Sequence, residues 1–200
     1  MHNGPMRRAV LLSVLVLLIA GVAMAGSYSA VSYPQNYKKS MVKYAVVDRG
    51  DGFSRDLYAS RDAIDAIKRN PRLSEFPVGV MLALEVHSAR VSSRDPKTQA
   101  PGFEKDAEGH LLRSKDEHTL HLMAKTQAGL GSKNWTYGGY DPVTAVPLKL
   151  DLPGDCLLCH QAALASDMAY SMTLMKRFVS TGVVQYSFCP HPGRQACAFH

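Results

Sequence analysis

The five residues Cys156-Leu157-Leu158-Cys159-His160 constrain this 200-residue chain more tightly than any other stretch. Two thiols at C-x-x-C spacing, followed directly by an imidazole, form the covalent attachment sequence of a c-type haem. The thiols add across the two haem vinyl groups, and the adjacent His is placed to donate a ring nitrogen to the iron. Three other uses of the pair fit less well. A thioredoxin-like site belongs early in a βαβ unit, whereas this pair lies near the C-terminus. A zinc site needs a second well-spaced pair, and the remaining cysteines, Cys189 and Cys197, are separated by seven residues. A disulfide across so short a loop is strained. The cofactor expected is therefore one covalent haem c on Cys156 and Cys159, with His160 as axial iron ligand.

The start of the chain points to an oxidising compartment. Arg7 and Arg8 precede the uncharged run AVLLSVLVLLIAGVAMAG, which contains the small-residue pattern Ala23-Met24-Ala25 just before Gly26. A basic patch, an apolar core and an A-x-A site make up the layout of a secretory signal. Residues 1–25 thus read as a signal peptide and the protein as periplasmic. An uncleaved N-terminal anchor is the competing reading, since the run is only a little short of the ~20 residues that span a bilayer. Residues 26–200 then form a single haem c domain with a short C-terminal tail from about residue 181. Composition agrees, because a chain 46% hydrophobic and 20% charged sits near the globular average and needs no staples to build a core. The formal charge of +6 falls to +4 without Arg7 and Arg8, too mild to imply nucleic acid. In an exported chain Cys189 and Cys197 are expected to form a disulfide, which would stabilise the tail by about 2.5 kcal/mol.

Hydrophobic periodicity places the remaining elements. Ser60 is a candidate cap for a helix over 61–70, stopped by Pro71, with Ala63, Ile64 and Ile67 buried. Residues 78–91 read as a strand with Val80, Leu82, Leu84 and Val86 on one face and Met81, Ala83, Glu85 and His87 on the other. Residues 92–117 read as a loop, and 120–125 and 134–140 as two strands joined by a glycine-containing turn. After His160, the residues Leu164, Met168, Met172, Met175 and Phe178 recur at three or four positions and predict one continuous helix. On such a helix Met168 lies ~12 Å along the axis from His160, on the same side of the haem, and cannot serve as a second axial ligand. The fold class is α+β: a mainly antiparallel sheet flanked by a few helices, with the haem attached at the start of a C-terminal helix.

Read together, YPQNY at 33–37, GFSRDLYAS at 52–60, FPVGVMLALEV at 76–86, LMAK with NWTYGGY over 122–140, and LPGDCLLCHQAALASDM at 152–168 make the chain resemble the cytochrome P-460 family. That family includes the β-sheet cytochromes c′ called cytochrome c′-beta. The resemblance implies a sheet flanked by helices, usually a dimer, and one haem c whose only protein axial ligand is His. In the hydroxylamine-oxidising members a strand lysine is joined to the haem edge. The matching position here is Leu84, and no lysine occurs between Arg69 and Pro96. The closer likeness is to cytochrome c′-beta, whose open iron binds nitric oxide.

The function expected is a five-coordinate mono-haem protein binding nitric oxide or a similar nitrogen-oxide ligand, with a periplasmic electron donor or acceptor as a further partner. An oxidoreductase acting on hydroxylamine or nitric oxide is the first alternative, and an electron-transfer cytochrome the second. Leu82 and Leu84, with Val80 and Val86, are expected to wall the haem pocket. Arg55 matches a distal arginine of the hydroxylamine-oxidising members, which makes it the one candidate catalytic residue. Two readings of it stand open: a donor to bound ligand, or a solvated or propionate-pairing cation. His87, His110, His118 and His121 are expected to be neither ligands nor relays, and Glu85 to be solvated or paired with a basic neighbour.

Overall fold

The computed structural model describes residues 31–149, 156–190 and Cys197; the expected signal peptide lies outside them. Period-two alternation along several short segments resolves into one mixed six-stranded sheet. Its strands are β1 (Val42–Arg49), β2 (Phe53–Ala59), β3 (Met81–Ala89), β6 (Arg113–Lys125), β7 (Trp135–Tyr140) and β8 (Gln185–Cys189), in the order β7-β6-β3-β2-β1-β8. All neighbours are antiparallel except β1 and β8, which run parallel. A separate pair, β4 (Val91–Arg94) and β5 (Pro101–Phe103), stands apart from the sheet. The helices are α1 (Tyr37–Ser40), α2 (Arg61–Arg69), α3 (Leu158–Gln161) and α4 (Met172–Thr181). The fold is α+β, and no helix of the described residues is long and apolar enough to cross a membrane.

Three expectations need correction. Residues 92–117 are not all loop: they supply most of the β4–β5 pair and the first turn-free stretch of β6. Their polar sequence hid this because the β4–β5 pair buries almost nothing and so shows no apolar alternation. The strand read as 78–91 begins only at Met81, after Gly79 adopts φ +94°, and Val91 belongs to β4. The continuous helix after His160 is broken. α3 ends at Gln161, a 3-10 turn covers Leu164–Ser166, Asp167 and Met168 take left-handed conformations, and α4 starts at Met172. Met168, Met172 and Met175 are buried as expected, but Leu164 is exposed because the chain turns away before the stripe can run through it. In addition β8, within the segment read as a tail, pairs into the main sheet and is tied by the Cys189–Cys197 disulfide.

Helix α2 occupies the expected residues, with Ala63, Ile64, Ala66 and Ile67 buried. Ser60 precedes it but makes no side-chain cap; its hydroxyl accepts from the Met81 backbone instead, at 3.1 Å. Gly182 ends α4 at φ +71°, donating to the Phe178 carbonyl at 2.8 Å.

Each face of the sheet buries a different set of residues. Tyr44, Ala45, Val47, Leu57, Leu82, Met123, Trp135 and Tyr137 pack with the apolar faces of α2 and α4, and Cys156 and Leu157 join this cluster. The opposite face buries Tyr58, Ala83, Leu120, Leu122 and Tyr140 against Val31, Tyr37 and Met41. The haem motif therefore lies on the α2/α4 side of the sheet.

Candidate haem site

Cys156 and Cys159 are half-buried, and neither is disulfide-bonded. Polar contacts from Tyr170 and Met168 help to hold the motif. The Tyr170 hydroxyl donates to the Cys159 carbonyl. The His160 ring approaches the Met168 carbonyl with Nδ1 at 2.5 Å. A carbonyl only accepts, so Nδ1 carries the proton and Nε2 keeps its lone pair. Burial lowers the His160 pKa, which also favours the neutral ring. The ring lies between Tyr137 and Tyr170, with centroids 5.5 and 5.7 Å away. The helix break at Asp167 and Met168 makes this possible. A straight helix would carry the Met168 carbonyl away from His160, whereas the left-handed pair folds it back.

Strand register fixes what faces the motif. Residues directly opposed in neighbouring strands point to the same face. Leu82 and Leu84 lie on the motif's side, with Leu82 in the same cluster as Tyr137 and Leu84 packed against it. Arg55 pairs with Val86 and with Val47, so it shares that face. Its guanidinium is within electrostatic reach of Cys159. Burial lowers the Arg55 pKa to about 10, the nearby Arg49 adds to this, and Asp51 and Cys159 oppose it. Arg55 Nε is buried with no hydrogen-bond partner among the described residues. The Arg55 side chain is thus half-buried, with its Nε held out of solvent.

The sequence offers Asp167 as a cap or brace of the haem helix but gives none of its partners. Asp167 is fully buried and gathers four hydrogen bonds: two from Lys125 Nζ at 2.6 and 2.8 Å, one from Trp135 Nε1 at 3.1 Å and one from the Phe76 backbone at 2.8 Å. It ties β6, β7 and the loop before β3 to the segment that follows the haem motif. Trp135 and Tyr137 are core residues here, and Tyr140 is core on the other face. Arg49, also fully buried, donates to Asp51 and contacts both sulfurs of the Cys189–Cys197 disulfide at 3.7 and 3.4 Å.

His121 stands opposite Leu84 in register, so it too is on the motif's side, with its Nε2 3.1 Å from Thr119 Oγ1. The period-two reading of 120–125 contained this placement, because His121 alternates with the buried Leu120 and Leu122. The other three histidines lie elsewhere. His87 and His118 sit on the opposite face, and His110 stacks on Tyr186. Glu85 is paired, with Lys38 at 2.8 Å, but it is not solvated: its side chain has no exposure.

Two thiols and a neutral imidazole in C-x-x-C-H order, an apolar wall from Leu82 and Leu84, and a buried guanidinium nitrogen lacking a partner fit a haem c. Cys156 and Cys159 would hold it and His160 would ligate its iron. A family model described as Cytochrome P460 matches residues 34–171. No curated protein matches the chain.

Proposed function

This chain belongs to the Cytochrome P460 family, whose members bind haem c covalently, and on that premise we propose that it is an exported mono-haem protein that binds nitric oxide or a closely similar ligand. When bound, haem iron supplies a Lewis-acidic, redox-active centre for such ligands. The family relates the chain to nitric oxide and hydroxylamine chemistry. The finer reading, with His160 as the only protein axial ligand and a site of the cytochrome c′-beta kind, is ours.

The observation that carries it is the apolar wall on β3. Leu82 and Leu84 present hydrocarbon there, Leu84 at the position that matches the cross-linking lysine, and such a surface offers no solvation to charge and so favours neutral diatomics. The chain's own residues have simple tasks in this reading. His160 presents Nε2 in a fixed tautomer through its Met168 hydrogen bond, Leu82 and Leu84 exclude water, and Arg55 stands ready to donate a hydrogen bond.

Periplasmic location follows in this proposal from the N-terminal signal, and a homodimer and a periplasmic electron donor or acceptor are proposed partners. Arg55 favours a second reading, an oxidoreductase acting on hydroxylamine or nitric oxide, because its partnerless Nε suits a polar or anionic ligand. An electron-transfer cytochrome needs a second axial ligand. Met168 is held beside His160 by its own carbonyl and is on the wrong side to supply one.

Optical spectra of the haem-loaded protein, ferric and ferrous, before and after nitric oxide, test the proposal. A high-spin, five-coordinate spectrum that changes on adding nitric oxide is expected. A low-spin spectrum unaffected by nitric oxide refutes it, and a strongly red-shifted ferrous Soret band indicates a cross-linked haem and moves the oxidoreductase reading to first place.

A further inference from the structure

On the sheet face away from His160, β3 carries Glu85 and His87 two residues apart, and His118 of β6 stands directly opposite His87. Residues two apart on a strand share a face, and opposed residues have Cβ atoms about 4.5–5.5 Å apart, so register alone gathers the three side chains. The imidazoles stack with centroids 5.5 Å apart and planes 8° from parallel. Glu85 Oε1 lies 3.8 Å from His87 Nε2 and 3.9 Å from His118 Nε2. The glutamate is fully buried while the two imidazoles keep 13% and 22% exposure, so the cluster is closed beneath and reachable from solvent. His87 Nε2 is buried and makes no hydrogen bond. Glu85 Oε1 meets Lys38 as an ion pair at 2.8 Å, without hydrogen-bond geometry. Buried polar atoms left without partners are uncommon in native proteins and call for a ligand.

We propose that Glu85, His87 and His118 form a binding site for a divalent transition-metal ion, with Zn2+ as the representative. Two imidazoles and one carboxylate suit zinc, copper or nickel better than the oxygen-seeking calcium or magnesium. A tetrahedral zinc with bonds of about 2.0–2.1 Å holds its ligand atoms about 3.4 Å apart; Glu85 Oε1 is near that distance from each imidazole nitrogen, and the near-parallel rings must turn toward each other to bring both nitrogens onto one ion. Water takes the fourth position, on the solvent side.

The surrounding charges permit the exchange. Asp56, 4.0 Å from His87 Nε2, is already engaged by Arg113 at 2.5 and 2.9 Å and by Lys43 at 2.8 Å, so it stays outside the metal's ligand set. Those contacts also offset the charge of Arg113 and Lys43. Tyr58 donates to Glu85 Oε2 at 3.5 Å, which leaves Oε1 turned to the imidazoles. Lys38 is the group that must move. Its side chain is 57% exposed, and its ammonium swings into water as the metal takes its place on Oε1.

The test is Zn2+ titration of the full haem-loaded protein by calorimetry, with metal content measured after gel filtration. One zinc per chain is expected. His87→Ala and His118→Ala should each weaken binding at least tenfold, and Lys38→Met should tighten it severalfold by removing the competing ammonium. A variant lacking His191 and His200 should bind as the wild type. Absence of zinc from the wild type, full retention by the His118→Ala variant, or unchanged affinity in the Lys38→Met variant overturns the proposal. Lys38 lies at the surface and its variant leaves both histidines in place, so the outcome does not depend on whether the histidine variants fold.

Discussion

The Lys125 ammonium lies 2.6 and 2.8 Å from the two carboxylate oxygens of Asp167, and neither side chain has any exposure. Both members of this pair have further partners: Lys125 donates to the Gly129 carbonyl at 2.8 Å, and Asp167 accepts from Trp135 and Phe76. Removing one member leaves the other charge buried alone, which costs about 3–5 kcal/mol. Asp167→Ala is therefore expected to lower the unfolding free energy by that amount, read from the denaturant midpoint and slope. The Lys125→Met and Asp167→Leu double variant should lose less than the two single variants together, by chemical denaturation of matched haem-loaded samples.

Replacing Arg55 by Leu removes the one cation on the Leu82 and Leu84 face whose Nε lacks a partner among the described residues. A hydrogen bond to a charged group is worth about 1.5–3 kcal/mol, so azide or nitrite affinity should fall roughly 10- to 100-fold while nitric oxide affinity stays within about twofold. Optical ligand titration measures both. Unchanged anion binding together with a shifted reduction potential assigns Arg55 to a propionate instead.

The Cys189–Cys197 disulfide anchors β8 to the edge of the sheet and packs against the buried Arg49 guanidinium. Replacing both cysteines by serine should cost about 2.5 kcal/mol on the chain-entropy scale, readable as a lower unfolding midpoint. Spectra of the haem should change little, because the C-x-x-C-H thiols are separate from this bridge.

Acid should weaken the sheet through Asp56. Burial alone would raise its pKa, but hydrogen bonds from Arg113 and Lys43 more than offset this and hold the carboxyl below the usual carboxylate value. A depressed folded pKa means that the stabilisation is complete above the unfolded value, about 3.9, and is lost as pH falls through the lower folded value. The stability gap between wild type and Asp56→Asn should thus be constant above about pH 5 and shrink below pH 4. Urea titrations across that range measure it.

The sequence was most informative where chemistry is local. C-x-x-C-H needs only five residues, α2 is marked by its own apolar spacing, and the alternation in 80–86 sorts Leu82 and Leu84 from Glu85 before any partner strand is known. Contacts made across the chain were not legible. Asp167 bonds to Lys125 from 42 positions away, and no spacing within either segment signals it. The helix break at Asp167 and Met168 was hidden for a related reason. The methionine stripe satisfies helical periodicity, but three buried hydrogen-bond donors around the Asp167 carboxylate hold the local backbone in a left-handed turn.

The hydrogen bond from His160 to a main-chain carbonyl, and not to a carboxylate, sets how strongly that imidazole can push electron density. An amide oxygen has almost no appetite for the proton on Nδ1, so the ring stays a plain neutral imidazole and never gains imidazolate character. For a haem held by this histidine, the electron push that helps to cleave an oxygen–oxygen bond would therefore be weak. That would suit the reversible gas binding we propose better than peroxidase chemistry, and it would be set by a backbone atom that side-chain substitution at position 168 leaves in place.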